Sequence, residues 1–147
     1  MLTLFVTKSA EIWYNYNMIT KLGCYPERQL NLVTKNIDGV MVTLQEPAMN
    51  ALINAADRCT VRIAIISSYR SCEEQKKLYD AYAACVAKYG HVYKCGLSAP
   101  PGNSYHNIGL AIDISNYESR KIRRALLNNG WKWGASFGDK PHFTYQP

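Results

Sequence analysis

Three residues of this chain have the types and the spacing to hold a metal ion. His106 and Asp113 stand seven positions apart, and His142 follows further along. Two imidazoles and one carboxylate are the ligand set of an open zinc site, in which a fourth position is left for water. Such a site makes water acidic enough to supply hydroxide near neutral pH. Hydrolysis then needs a proton acceptor alongside, and Asp139, three residues before His142, is the candidate, with Pro141 stiffening the turn between them. A His and an Asp at this spacing also occur by chance, so the surroundings matter. Asp113 interrupts the apolar run Leu110-Ala111-Ile112-Asp113-Ile114, where an unpaired buried carboxylate would be costly and a metal removes that cost. Gly109 permits a tight backbone path from His106 into the run, and the small Ala111 leaves space behind the site. His91 has no such partners and reads as an ordinary surface residue.

These residues need elements to position them. The apolar spacing from Ser9 to Leu22, ending at Gly23, predicts a first helix, and two short apolar runs over 30–44 around Asp38-Gly39 predict a hairpin. Pro47 precedes a Met49, Leu52, Ile53, Ala56 stripe, which predicts a helix with proline in its first turn. Val61 to Ile66 is β-branched and short, hence a buried strand. Ser71-x-x-Glu74 is a capping box opening a long helix that runs to Gly90, and the Gly/Pro-rich stretch 91–105 is a loop. Leu110–Ile114 alternates as a strand, and Ser115-x-x-Glu118 reads as a second capping box for a helix that Asn129-Gly130 closes. Trp131-Lys132-Trp133 and His142–Tyr145 are further short strands. Strands and helices mixed along one chain predict an α+β fold.

A chain of 147 residues is one domain in length, and 48% hydrophobic residues with 19% charged exclude a disordered chain. The longest apolar runs are far below the roughly 18 residues that span a bilayer, so no transmembrane segment is expected. Met1–Lys8 lacks the basic start and apolar length of a secretory signal. Seventeen Lys and Arg against eleven Asp and Glu give +6 and favour a polyanionic partner. Nucleic acid is not expected, since charge alone argues for it. The densest basic group, Arg120-Lys121-Arg123-Arg124, reads as the solvated side of a helix. The five cysteines are odd in number and form no C-x-x-C pair, so five free thiols in a reducing cytosol are expected.

Ser104-Tyr105-His106-Asn107-Ile108-Gly109-Leu110-Ala111-Ile112-Asp113 matches S-x-H-x-x-G-x-A-x-D, and Ser68-Tyr69-Arg70-Ser71 with Gln75 matches S-x-R-[ST]-x-x-x-Q. Trp133 with Asp139-Lys140-Pro141-His142-Phe143 is similar to a closing [DE]-x-x-H-F segment. In these three motifs, over about 60–145, the chain resembles the zinc-dependent peptidoglycan peptidases that include VanY-type D-alanyl-D-alanine carboxypeptidases and the L-alanyl-D-glutamate endopeptidases of phage endolysins. The resemblance implies a small antiparallel sheet with flanking helices, of the hedgehog/D,D-peptidase type. It makes His106, Asp113 and His142 the ligands of one zinc and Asp139 the acid/base residue, although many relatives have Glu there. It makes Arg70, Ser104 and Gln75 the substrate-binding residues, with Gln75 alternatively a support for the Arg70 loop. Many relatives follow His-Phe with Glu, where this chain has Thr144.

The expected function is hydrolysis of a peptide bond in the peptidoglycan stem peptide, foremost as a phage endolysin of the L-alanyl-D-glutamate type. The expected protein is a monomeric single domain over 1–147 without a separate wall-binding domain. It would be made in the cytoplasm and act at the wall after holin-type release. A D-alanyl-D-alanine carboxypeptidase is the alternative within the enzymes, and a non-catalytic metal-containing wall-binding module the alternative outside them.

Overall fold

A computed structural model describes residues 18–90 and 95–147. The helix expected over 9–22 and the reading of His91 lie outside the described residues, except that Met18–Leu22 run as irregular chain. β1 (Leu32–Ile37) and β2 (Val40–Gln45) form the expected hairpin, paired antiparallel from Leu32 opposite Gln45 to Ile37 opposite Val40. Asp38 and Gly39 both take positive φ, 51° and 90°, as a tight hairpin turn requires, and the Asn36 side chain accepts from the Gly39 N–H. α1 (Glu46–Arg58) follows with Pro47 in its first turn, and it buries Ala48, Met49, Ala51, Leu52 and Ala55.

The second sheet is antiparallel in the order β3-β4-β6-β5. It comprises β3 (Ile65–Ser67), β4 (Ala111–Ile114), β5 (Trp131–Trp133) and β6 (His142–Tyr145). β3 is shorter than the strand expected over Val61–Ile66. Asn116 explains this: its side chain accepts from the Ala64 N–H and donates to the Arg62 carbonyl, so a side chain replaces strand pairing there. The same clamp shifts the next helix. Ser115 donates its N–H to Ala64, and α3 (Arg120–Leu127) begins after Ser119, whose hydroxyl accepts from Ile122, so Ser115-x-x-Glu118 is a turn and not a capping box.

α2 (Cys72–Tyr89) starts with the expected reciprocal box: Ser71 Oγ accepts from Glu74 N–H, and the Glu74 carboxylate accepts from Ser71 N–H. It ends at Gly90, at φ 79°. One core joins both sheets to α1 and α3 through residues such as Leu44, Met49, Leu52, Ile112, Ile114, Ile122 and Phe143. α2 stands apart from that core. Gln75 is its one buried residue, while Leu78 and Tyr89 are 46% and 64% exposed.

Covalent bonds hold α2 instead. Where the sequence predicts free thiols, the structure joins Cys24 to Cys72 and Cys85 to Cys95, with Cα atoms 5.9 and 5.7 Å apart. Both separations lie in the range a disulfide needs. The fold brings together cysteines 48 and 10 positions apart, a connectivity that sequence spacing does not encode. Cys59 stays a free thiol.

Candidate active site

β4 builds the centre by alternation. Ile112 and Ile114 turn into the core, so Asp113 between them faces the opposite side of the sheet, directly across from His142 on β6. His106 arrives from a 3₁₀ turn, Tyr105–Ile108, that leads into β4. Gly109 closes this turn at φ 70°, and a Cβ there would lie 2.6 Å from Leu32 Cδ2 and 3.0 Å from the Gln45 N–H nitrogen. A glycine is required twice over, by conformation and by space. Buried Gln45 secures the turn by donating to the Ile108 carbonyl.

Both imidazoles are held in a fixed orientation. His106 Nδ1 donates to the Ser68 carbonyl at 2.6 Å, which leaves Nε2 facing Asp113 Oδ2 at 3.2 Å. His142 is reversed: Nε2 meets Thr144 Oγ1 at 2.9 Å, and Nδ1 faces Asp113 Oδ1 at 3.2 Å. Burial alone would raise the Asp113 pKa, but hydrogen bonds and charge from His106 and His142 hold it well below the usual carboxylate range. One donor atom from each residue lies within 4.8 Å of the others. Tetrahedral zinc with bonds near 2.0–2.1 Å would set its ligands about 3.3 Å apart, so the donor set fits zinc.

Asp139 lines the same cleft as the three donors. Its turn is fixed on three sides: Asp139 donates its N–H to Gly134, His142 donates to the Asp139 carbonyl, and Trp133 Nε1 donates to the Lys140 carbonyl at 2.6 Å. The chain packs so closely that a Cβ on Gly134 would lie 2.6 Å from the Asp139 carbonyl oxygen.

Arg70 stands at the other side of the donors. One guanidinium nitrogen donates to Gln75 Oε1 at 2.8 Å and the other to Ser67 Oγ at 2.9 Å, the latter nitrogen 3.9 Å from Asp113 Oδ2. Gln75 is 1% exposed, and its amide is spent on Arg70, the Ser98 hydroxyl and the Ala99 carbonyl. These bonds tie Gln75 to the Arg70 loop and to the Ser98–Ala99 segment. Ser104 lines the cleft, and its hydroxyl accepts from the His106 N–H at the start of the 3₁₀ turn.

Sequence reasoning missed Asn107, and it noted Thr144 as a departure from relatives without giving it a role. Asn107 is buried, accepts from Gly102 N–H and donates to the Arg70 carbonyl, so the turn carrying His106 is pinned to the Arg70 loop. Arg70 N–H returns a bond to the His106 carbonyl. Thr144 is two residues from His142 on the same face of a strand, a spacing that could have marked it.

Two imidazoles and a carboxylate converging on one point of a cleft, with a second carboxylate in the cleft wall, define a zinc hydrolase class of site. The sequence model of the VanY family, D-alanyl-D-alanine carboxypeptidase, matches residues 41–144, and the chain belongs to that family of peptidoglycan peptidases. Solved structures share the fold. A vancomycin-resistance D,D-dipeptidase, VanXYg, solved with a D-Ala-D-Ala phosphinate analogue, is 21% identical, with a TM-score of 0.59 over 88% of this chain and 61% of that one. The LD-carboxypeptidase LdcB is 22% identical, with a TM-score of 0.54 over 70% and 59%. A vancomycin-resistance D,D-pentapeptidase VanY in complex with Zn(II) is 21% identical, with a TM-score of 0.51 over 90% and 89%. The chain thus spans about three-fifths of the length of VanXYg and LdcB.

Proposed function

We propose that the protein is a zinc-dependent peptidase that removes the terminal residue of a peptidoglycan stem peptide ending in D-alanyl-D-alanine. The observation that carries this reading is the convergence of His106 Nε2, Asp113 and His142 Nδ1 on one point of a cleft that Asp139 and Arg70 also line. His106, Asp113 and His142 hold one zinc. Bound there, zinc supplies Lewis acidity to the scissile carbonyl and to the attacking water. Asp139 takes the proton of that water on its carboxylate and passes it to the leaving amine nitrogen. Arg70 binds a carboxylate of the substrate with its planar fork, which Gln75 and Ser67 hold in orientation. Ser104 orients the peptide from the same wall. Two disulfides fit work outside the reducing cytosol, at the wall where the substrate lies.

A second reading keeps the chemistry and moves the bond: an endopeptidase of the L-alanyl-D-glutamate type, as in endolysins. The cleft volume, about 1030 Å³, favours keeping it. That is at the top of the roughly 300–1,000 Å³ of drug-sized ligand sites and has room for more than a dipeptide. Digestion of purified peptidoglycan with mass spectrometry of the products tests both. Release of free D-alanine is expected. New D-glutamyl amino termini would establish the endopeptidase, and an unchanged digest from zinc-loaded protein would leave a non-catalytic wall-binding module.

A further inference from the structure

We propose that Lys132 and Arg70 form the two ends of a cradle for an extended peptide laid across the sheet, with Lys132 binding a carboxylate on the part of the peptide that lies away from Arg70. The proposal rests on the peptidase reading above and names the substrate feature that the same cleft selects.

The strand order gives the geometry. Arg70 follows β3, Asp113 is on β4, His142 on β6 and Lys132 on β5, the far edge. Lys132 is paired with Thr144, and Thr144 with Ala111, while Trp131 beside it is buried. Paired residues project from the same face, so Lys132 shares the face of Thr144, His142 and Asp113, and it lines the same cleft. Three strand spacings separate β3 from β5, roughly 14 Å at about 4.8 Å each. An extended chain covers that distance in about four residues at roughly 3.3–3.6 Å per residue. The metal donors sit between β4 and β6, so Lys132 starts roughly 7 Å from them before its own side chain extends. A peptide bond held at the donors would place at Lys132 a group two to four residues away.

Charge points to the same ligand. The acidic side chains lining the cleft are Asp113 and Asp139, the first committed to the metal and the second to proton transfer. Arg70 is steadied by Gln75 and Ser67, with the metal-facing Asp113 3.9 Å away, and among the described residues Lys132 has no carboxylate within ion-pair distance. The zinc-loaded cleft is therefore cationic at both ends and selects an anionic peptide. It also presents apolar surface. Of the seven large hydrophobic residues exposed among the described residues, Ile66, Leu78, Leu97 and Phe137 line this cleft, the last 83% exposed. That concentration marks a surface meant to be covered by a ligand.

The test compares two synthetic pentapeptides ending in D-alanyl-D-alanine, one with D-glutamate as its second residue and its carboxylate free, the other with that carboxylate as a carboxamide. The readout is the ratio of their kcat/KM values, which cancels any general loss of activity. Wild-type, zinc-loaded protein is expected to favour the carboxylate peptide by about three- to tenfold. Lys132→Gln should bring the ratio to about one, Lys132→Arg should restore it, and added salt should shrink it. A wild-type ratio of one, or an unchanged ratio in Lys132→Gln, overturns the cradle. Calorimetric binding of both peptides separates this failure from failure of the peptidase reading. A Lys132-dependent carboxylate preference in Kd without hydrolysis upholds the cradle and overturns the peptidase. Equal Kd values overturn the cradle, and no binding of either peptide overturns both.

Discussion

The donor centre and the wall formed by α2 with the Cys95–Asn103 loop face one cleft but are held by different forces. His106, Asp113 and His142 stand on paired strands and a capped 3₁₀ turn over a continuous apolar core, so backbone hydrogen bonds and burial fix them. α2 has one buried residue, Gln75, and is tied by Cys24–Cys72 at its start and Cys85–Cys95 near its end. Gln75 then links Arg70 to Ser98 and Ala99 across the gap. The metal-facing half is stable through the fold, whereas the α2 wall depends on two disulfides and the bonds of Gln75. Chemistry and substrate positioning should therefore be separable by mutation.

The sharpest break lies between metal binding and turnover. Asp139→Asn keeps the size of the side chain and removes its proton acceptor, so kcat should fall by about 10²–10⁴-fold while elemental analysis still finds one zinc per chain. Unchanged turnover would give the proton transfer to another group. Next in size, Thr144→Val removes the hydrogen-bond partner of His142 Nε2 and should weaken zinc by about 10–100-fold in chelator competition, with Thr144→Ser retaining most of the affinity. Equal affinity in all three proteins would mean that the strand alone orients His142. The smallest effect on the metal should come from the wall. Reduction of both disulfides should lower Tm by roughly 15–25 °C, the Cys24–Cys72 loop alone being worth about 4 kcal/mol, and leave zinc bound. Zinc loss at the same reductant concentration would erase the distinction between the two regions.

The donor centre was legible in the sequence because its parts are local: a His and an Asp joined by a glycine turn and one strand, and a carboxylate and a His joined by a proline turn. The α2 capping box and the β1–β2 turn are local too, and both were readable. What escaped was long-range. Asn116 reaches back 52 residues to Ala64, and that one contact shortens β3 and moves the start of α3 past Ser115. The disulfides likewise join residues through the fold, so an odd cysteine count without paired spacing pointed to free thiols. Asn107 fell at an unspecified position of a motif, and its role depends on Arg70, 37 residues away.

Anomalous diffraction at the zinc edge from crystals of the zinc-loaded protein tests the central claim most directly. The account predicts a single ion bonded to His106 Nε2, to an Asp113 carboxylate oxygen and to His142 Nδ1, with His142 Nε2 still on Thr144. An ion bound through His142 Nε2, or one lying outside this set, would contradict it.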